Sequence, residues 1–414
     1  GEGQRVYVER VEITGNVRTL DRVIRRNVRI AEGDAFNAAK VRRSKQLIEE
    51  LGFFSNVDIQ HVTGSAGDRS EIHIDVQEQS TGELSFGAGL SSDSGLLGSA
   101  GIREKNLLGR GQNLSLRFQI SGLDQNVEIS FDEPYFLNRD VAAGFDLYKT
   151  EREFRESSFD RDLLGFGVRA SYPISEFLYQ QVRYGLRSEE IEPFAGASTS
   201  LRVSAGKSVS STVGQTLSYQ RLDNKLNPKD GYFVSLKSDL TGLGGDRKWL
   251  RNRLEGGYYE ALWSEDWIGA LKGEVGYIAG LDDQDVEISD RFFLGGQNFR
   301  GFKTSGVGPR DLATNNSIGG NFLYQITAQV SVPLGLPKEL GINGKLFSTI
   351  GTLTDVDDSN IANLGDTGSL RSSVGVGISW QSPFGPISLN YARAIRKEDF
   401  DETELISFGI GSLY

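Results

Sequence analysis

The sequence predicts a transmembrane antiparallel β-barrel of about sixteen strands, preceded by a small α+β domain in the order β-α-α-β-β. Three observations carry this prediction. Segments of period-two alternation recur along most of the chain, no run of 18 apolar residues exists, and the C-terminal residues themselves form an alternating segment that ends on an aromatic ring. In that segment Ile406, Phe408, Ile410 and Tyr414 fall on one face, with Ser407, Gly409, Gly411 and Leu413 on the other. An unpaired strand edge invites aggregation. A closed barrel in a bilayer gives the strand a partner and the terminal aromatic an interfacial position.

Residues 1–79 form the first domain. Arg5–Ile13 reads as a strand ending at the Gly15-Asn16 turn, and Thr19–Ile30 has helical apolar spacing with Thr19 placed to cap it. Asn37–Leu51 is a second amphipathic helix, stopped by Gly52. Two strands follow, Asn56–Val62 and Glu71–Glu78, giving two helices on one face of a three-stranded sheet. The helical half collects Arg22, Arg25, Arg26, Arg29, Lys40, Arg42, Arg43 and Lys45. A solvated face and a partner-docking surface built on Arg25, Arg29, Arg42 and Arg43 are both open readings.

Residues 80–414 read as the barrel. Leu114, Leu116, Phe118 and Ile120 alternate with polar residues, as do Val182, Tyr184 and Leu186, Val374, Val376 and Ile378, and Ile387, Leu389 and Tyr391. Spanning strands need roughly 9–11 residues each. The segment count then suggests sixteen strands, since single-chain bacterial barrels have even numbers.

Composition narrows the chemistry. The absence of an 18-residue apolar run excludes helical spans. Zero cysteines exclude disulfides, thiolate metal sites and cysteine nucleophiles. The chain lacks methionine, even an initiator, and reads as processed or trimmed; it shows no signal-peptide pattern. A net charge of −11 argues against a nucleic-acid partner. The only histidines, His61 and His73, sit on predicted neighbouring strands of the first domain; ordinary sheet residues are the better reading than a zinc pair. The acidic run Asp355, Asp357 and Asp358 lacks calcium-loop spacing and reads as a solvated loop. Neither an enzyme, nor a metal, nor a cofactor is expected.

Several stretches then meet one family. Residues 1–79, with Gly15-Asn16 and Leu51–Val57, resemble a POTRA domain. Glu104–Gly111 is similar to the conserved turn of a family's early barrel strands, and Asp132–Phe136 and Asn227–Tyr232 to later signatures of the same family. Gly295-Gly296-Gln-Asn-Phe299-Arg300-Gly301-Phe302 resembles the inward-folded loop motif of the BamA family of outer-membrane assembly factors. The resemblance covers essentially the whole chain. It implies a barrel in the outer membrane of a Gram-negative bacterium with the POTRA domain in the periplasm. The implied partners are unfolded barrel clients, accessory lipoproteins and the bilayer. In the family the loop arginine is held by acids from neighbouring strands; at the matching inward positions this chain has Gln329 and Thr349.

The implied function is insertion of client barrels by strand pairing at a lateral gate. The first strand, with Gly82, Phe86, Gly87 and Gly89, would meet the last, with Ile406, Phe408, Gly409, Ile410, Gly411 and Tyr414. Glycine weakens a strand, so this seam is expected to open most easily. The alternative is a polypeptide transporter of the two-partner secretion type, or the related translocation-and-assembly barrel.

Overall fold

The alternating segments of the N-terminal module become a three-stranded sheet of β1 (Tyr7–Thr14), β2 (Phe54–Thr63) and β3 (Arg69–Glu78). β3 is central, parallel to β1 and antiparallel to β2. The structure is a computed structural model that describes residues 5–225, 227–356, 361, 363–382 and 385–411. Asp357, Asp358, Leu413 and Tyr414 lie outside the described residues. The chain divides into two compact units: residues 1–85 with 101–116 and 129–136, and residues 86–100 with 117–128 and 137–414.

In the first unit the helices differ in how well the sequence placed them. α2 (Ala38–Glu50) starts where expected, because the Asn37 side chain accepts from the N–H groups of Ala39 and Lys40 at 2.9 and 3.2 Å. It stops at Gly52, whose φ of +70° suits glycine. α1 is only Asp21–Arg25, far shorter than Thr19–Ile30. Thr19 is not its cap. Its N–H donates to the Glu78 carboxylate at 2.6 Å and its hydroxyl accepts from the Asn106 amide at 2.8 Å. At the other end Asn27 turns its side-chain amide back onto the Val23 carbonyl, at 2.9 Å, and its own N–H bonds the Ile24 carbonyl in a tighter turn. Val8, Val23, Ile24, Ile48, Val57 and Ile74 close the core beneath the helices.

The barrel has sixteen strands. They are β4 (Gly82–Ser91), β5 (Gly95–Leu107), β6 (Gln112–Ser121), β7 (Asp124–Glu133), β8 (Ala142–Phe154) and β9 (Phe159–Pro173). Next come β10 (Leu178–Pro193), β11 (Gly206–Leu222), β12 (Gly231–Gly245), β13 (Trp249–Ala261) and β14 (Ile268–Gly280). The last are β15 (Phe322–Pro333), β16 (Ile342–Thr354), β17 (Arg371–Ser382), β18 (Gly385–Arg396) and β19 (Ile406–Ile410). Each pairs with its neighbours in sequence, and β19 meets β4 to close the cylinder. A five-residue helix, α3 (Thr199–Val203), interrupts the β10–β11 connection and was not visible in the periodicity.

The alternation is the reason for closure. Leu116, Phe118 and Ile120 on β6, Val182, Tyr184 and Leu186 on β10, and Val374, Val376 and Ile378 on β17 all lie exposed on the outer surface. Their neighbours in sequence turn into the lumen. In water such a surface would aggregate; around a closed barrel it is the lipid-facing band.

Candidate functional site

The connection between β14 and β15, residues 281–321, is packed inside the barrel. Phe292, Leu294, Phe299, Phe302 and Val307 from the connection are buried with Trp249, Ile278, Leu323 and Leu353 from the wall. Glycine makes its turn possible. Gly295 has φ +142°, and a Cβ there would lie 2.0 Å from the Lys303 carbonyl oxygen. The Gly296 N–H donates to the carbonyls of Phe302 and Lys303 at 3.1 and 3.0 Å, closing the motif on itself. Phe299 and Phe302 meet edge to face, centroids 5.1 Å apart. Gly301, at φ +101°, brings the backbone against Ser373 on the wall.

Arg300 leaves this turn toward the wall of β15 and β16. One terminal nitrogen donates to Gln329 Oε1 at 3.2 Å, and the guanidinium lies 3.5 Å from the centre of the Phe347 ring. Thr349 also faces the lumen but serves the wall instead, its hydroxyl 3.0 Å from that of Thr327 on β15. Arg300 forms no ion pair among the described residues. Its holding contacts are a neutral amide and an aromatic face.

The same turn grips the approach to the last strand. Phe302 bridges to Thr403, the Lys303 N–H donates to the Glu402 carbonyl at 3.0 Å, and the Glu402 and Glu404 N–H groups donate to Gly306 and Gly301. Buried Arg310 adds side-chain bonds to Glu402 Oε1 (3.2 Å) and to the carbonyls of Asn315 (2.7 Å) and Ser305 (3.2 Å). Arg371 and Asp401, both fully buried, pair at 3.0 Å and fix the same segment to β17. Residues 401–404 are therefore held by the folded-in loop immediately before β19 begins.

β19 itself is paired unequally on its two sides. It runs in register with β18 from Tyr391–Ile406 to Ile387–Ile410, but registers with β4 at Gly409–Ser91 and Ile410–Leu90 alone among the described residues. By contrast β13 and β14 are in register along their whole length, from Trp249–Gly280 to Ala261–Ile268. Ser92 extends the seam, donating its N–H to the Phe408 carbonyl at 3.0 Å and accepting the Phe408 N–H on its hydroxyl at 3.4 Å. The glycines have a specific part here. A Cβ on Gly89 would lie 2.6 Å from the Ile410 carbonyl oxygen. One on Gly411, at φ +100°, would lie 2.3 Å from that of Ala88. They permit close approach at the seam, a role beyond the expected weakening of the strand. Gly82 and Gly409 have ordinary clearance, and Phe86 stands exposed on the outer face of β4.

A charged network escaped the sequence reading. Asp290, fully buried in the connection, is bonded by Arg187 of β10 and, at 2.9 Å, by Arg247. Arg247 also reaches the buried Glu189 at 2.8 Å. Burial alone would raise the Asp290 carboxyl, but Arg187, Arg247 and Arg251 outweigh it and hold it at about 2. Charged residues at lumen-facing positions, such as Arg187 and Glu189, were the available signal. The partner of Arg187 lies a hundred residues away on the loop.

In the N-terminal module the basic helices are partly neutralised. Arg25 pairs with Asp21 at 2.8 Å, Arg43 with Glu50 at 3.7 Å, Lys40 with Asp34 at 3.1 Å and Lys45 with Glu49 at 3.9 Å, while Arg29 and Arg42 stay exposed. Arg26 lies 4.1 Å from the centre of the Tyr135 ring, within the same unit. The register sets His61 opposite Ile72 and His73 opposite Gln60, so the two histidines face opposite sides of the sheet and make no pair. His61 packs on Phe36, whereas His73 sits between Glu12 and Glu71 at 3.6 and 3.1 Å, carboxylates that spacing did not bring together.

A closed sixteen-stranded barrel with a plugged lumen and a small β-α-α-β-β module defines an outer-membrane barrel of the POTRA-bearing class. Residues 106–413 match the Omp85 superfamily domain and residues 6–79 match the POTRA model described as a surface antigen variable number repeat. The chain belongs to the Omp85 superfamily and is a barrel of the Gram-negative outer membrane. It is 34% identical to the outer membrane protein assembly factor BamA of Neorickettsia risticii, over 99% of this chain and 55% of that relative. It thus spans little more than half the length of that protein. The crystal structure of BamA from Haemophilus ducreyi lacking POTRA domains 1–3 superposes with a TM-score of 0.88 at 25% identity, over 100% of this chain and 85% of that one. CdiB from Acinetobacter baumannii shares the fold more distantly, with a TM-score of 0.59 at 15% identity over 98% of this chain and 74% of that one.

Proposed function

We propose that the chain is the barrel-forming core of an outer-membrane assembly machine that inserts client barrels by strand pairing at the β4–β19 seam. The observation that carries the reading is the short register between those strands. Among the described residues, opening breaks two registered pairs and the bonds between Ser92 and Phe408, where a full-length pair such as β13 and β14 would have to part along its whole length. Each unpaired N–H or C=O left in the hydrocarbon costs several kcal/mol, so an opened β4 edge strongly favours capture of an incoming strand. The folded-in loop holds residues 401–404, which leaves the lower part of β19 as the movable element.

The reading accounts for the partners it requires. Unfolded barrel clients supply the incoming strands. Accessory lipoproteins are the acidic partners expected for the exposed Arg29 and Arg42, with Arg25 and Arg43 joining once their weak surface pairs exchange. A secretion pore is less well supported, because the loop and its buried aromatic cluster obstruct the passage that cargo would cross from one side to the other.

The test uses the absence of native cysteine. Ser91→Cys with Gly409→Cys joins the two strands at a registered pair. Oxidised protein in liposomes should lose insertion of an added barrel client, and reduction should restore it. Insertion at the normal rate by the locked barrel would refute lateral opening. Reversing Arg25, Arg29, Arg42 and Arg43 should weaken accessory-protein binding in a salt-dependent way while leaving the barrel folded; unchanged binding would remove that surface from the proposal.

A further inference from the structure

Arg300 is not the only lumenal cation without an acid. Lys272 on β14 lies opposite Thr327 of β15, and Lys345 on β16 lies opposite Ser331 of the same strand, on either side of Gln329. Parity turns both lysines inward, since their neighbours Leu271 and Leu346 are exposed on the lipid face. The charges acting on the Lys345 ammonium are those of Arg300 and Lys272, both of like sign. None of the three forms an ion pair among the described residues. Of the acids nearby, Glu255 and Glu274 bind Arg253 at 2.8 and 2.7 Å and Asp266 binds Lys338 at 2.8 Å, while Glu265, on the turn at the cavity edge, forms no ion pair with any of the three cations among the described residues. Like charges gathered on one wall repel, and a barrel gains nothing in stability from such an arrangement.

The cluster borders open space. A cavity of about 1010 Å³ is lined by Lys272, Gln329 and Lys345 and by the turns at 225 and 227–229, 265–266 and 334–343. A second, of about 270 Å³, shares Lys272 and Gln329 and contains Arg300. We propose that Arg300, Lys272 and Lys345 form a lumenal receptor for a carboxylate carried by an extended polypeptide segment. The walls of the larger cavity also offer Gln220, Asn343 and Gln381 beside Phe233 and Leu334, a mixture of amide hydrogen-bonding groups and apolar surface that suits a peptide. A lipid headgroup does not fit the position, because all three cations face away from the lipid surface. The inference rests on the barrel handling polypeptide clients, and it adds that a client's acidic residues are held inside while its strand pairs at the seam.

Binding is measured separately from insertion, so the two readings fail separately. Calorimetry on the detergent-solubilised 414-residue chain would use an end-blocked decapeptide of alternating Asp and Ser, and the same peptide with Asn for Asp. The acidic peptide should bind at least tenfold more tightly, weaken with added salt, and bind equally to the Ser91→Cys/Gly409→Cys protein in its oxidised form. Lys272→Gln and Lys345→Gln, each tested alone and shown folded by heat-modified gel mobility, should each cost three- to tenfold. Equal binding of the two peptides, or undiminished binding by both variants, would overturn the proposal. So would saturation of the cluster by inorganic phosphate with no binding of the acidic peptide, which would mark a small-anion site only.

Discussion

Gly411→Ala tests whether the seam is closed by close approach or merely by adjacency. At φ +100° an alanine carries backbone strain of roughly 1–3 kcal/mol. Its Cβ would also stand 2.3 Å from the Ala88 carbonyl oxygen and 2.7 Å from Gly89 Cα, so the strands must separate to admit it. The contacts it opposes are few among the described residues: two registered pairs and the bonds between Ser92 and Phe408. Strain of this size is released when the seam parts, and since about 1.4 kcal/mol is a factor of ten, the open seam should become roughly 10–100-fold more populated. The readout is hydrogen exchange at the Ser92 amide, which is bonded across the seam to the Phe408 carbonyl and exchanges through the open state. With Gly411→Ala added, that exchange should speed up at least fivefold. Gly82→Ala, where the nearest atom to a Cβ is 3.5 Å away, should leave it unchanged. An unchanged exchange rate with Gly411→Ala would refute the claim that the glycine sets closure.

Other expectations follow from the buried charges. Arg300→Ala removes a bond to a neutral amide and an aromatic contact, so it should cost about 1–2 kcal/mol, read as a lower temperature for loss of heat-modified gel mobility; Gln329→Glu should raise that temperature. Arg371→Met leaves Asp401 buried without its cation and should cost about 3–5 kcal/mol, whereas exposed Arg42→Met should cost nothing measurable in the same assay. Asp290 has a folded value near 2, below its ordinary 3.8, so its contribution is full above pH 4 and is lost as pH falls toward 2. Unfolding temperature should accordingly hold from pH 7 to about 4 and then drop, and Asp290→Asn should lower it at neutral pH and flatten that drop.

The barrel was legible because lipid and lumen impose opposite chemistry on alternate residues, and strands such as β6, β10 and β17 carry that pattern openly. α2 was legible from Asn37 and Gly52, local signals that act within a turn. What was not legible depended on distant partners. Thr19 looks like a cap in sequence, but Glu78 and Asn106 take both of its polar groups, and no local rule contains them. The Arg187–Asp290 and Arg310–Glu402 contacts join residues separated by about a hundred positions. Gly411 could be noticed as a glycine, but its reason, the carbonyl of Ala88, exists only once the cylinder has closed.

The hold of the loop on residues 401–404 has a consequence for how the molecule reaches its native state. Joining residue 91 to residue 409 is the most non-local step in the fold, and by chain statistics alone it costs about 5 kcal/mol in entropy. Contacts of that kind form late. The segment from 281 to 321 is enclosed by the finished wall, and its hydrogen bonds to 402–404 position the strand that completes that wall. The order of events is then constrained: the loop enters first and organises the end of the chain, and only afterwards does the last strand zip. A nascent chain that zipped early would strand the loop outside and be caught in a kinetic trap, with its lumen empty and its final strand unanchored. The slow phase of refolding should therefore respond to mutations at Glu402 and Arg310, far more than to those along the early strands.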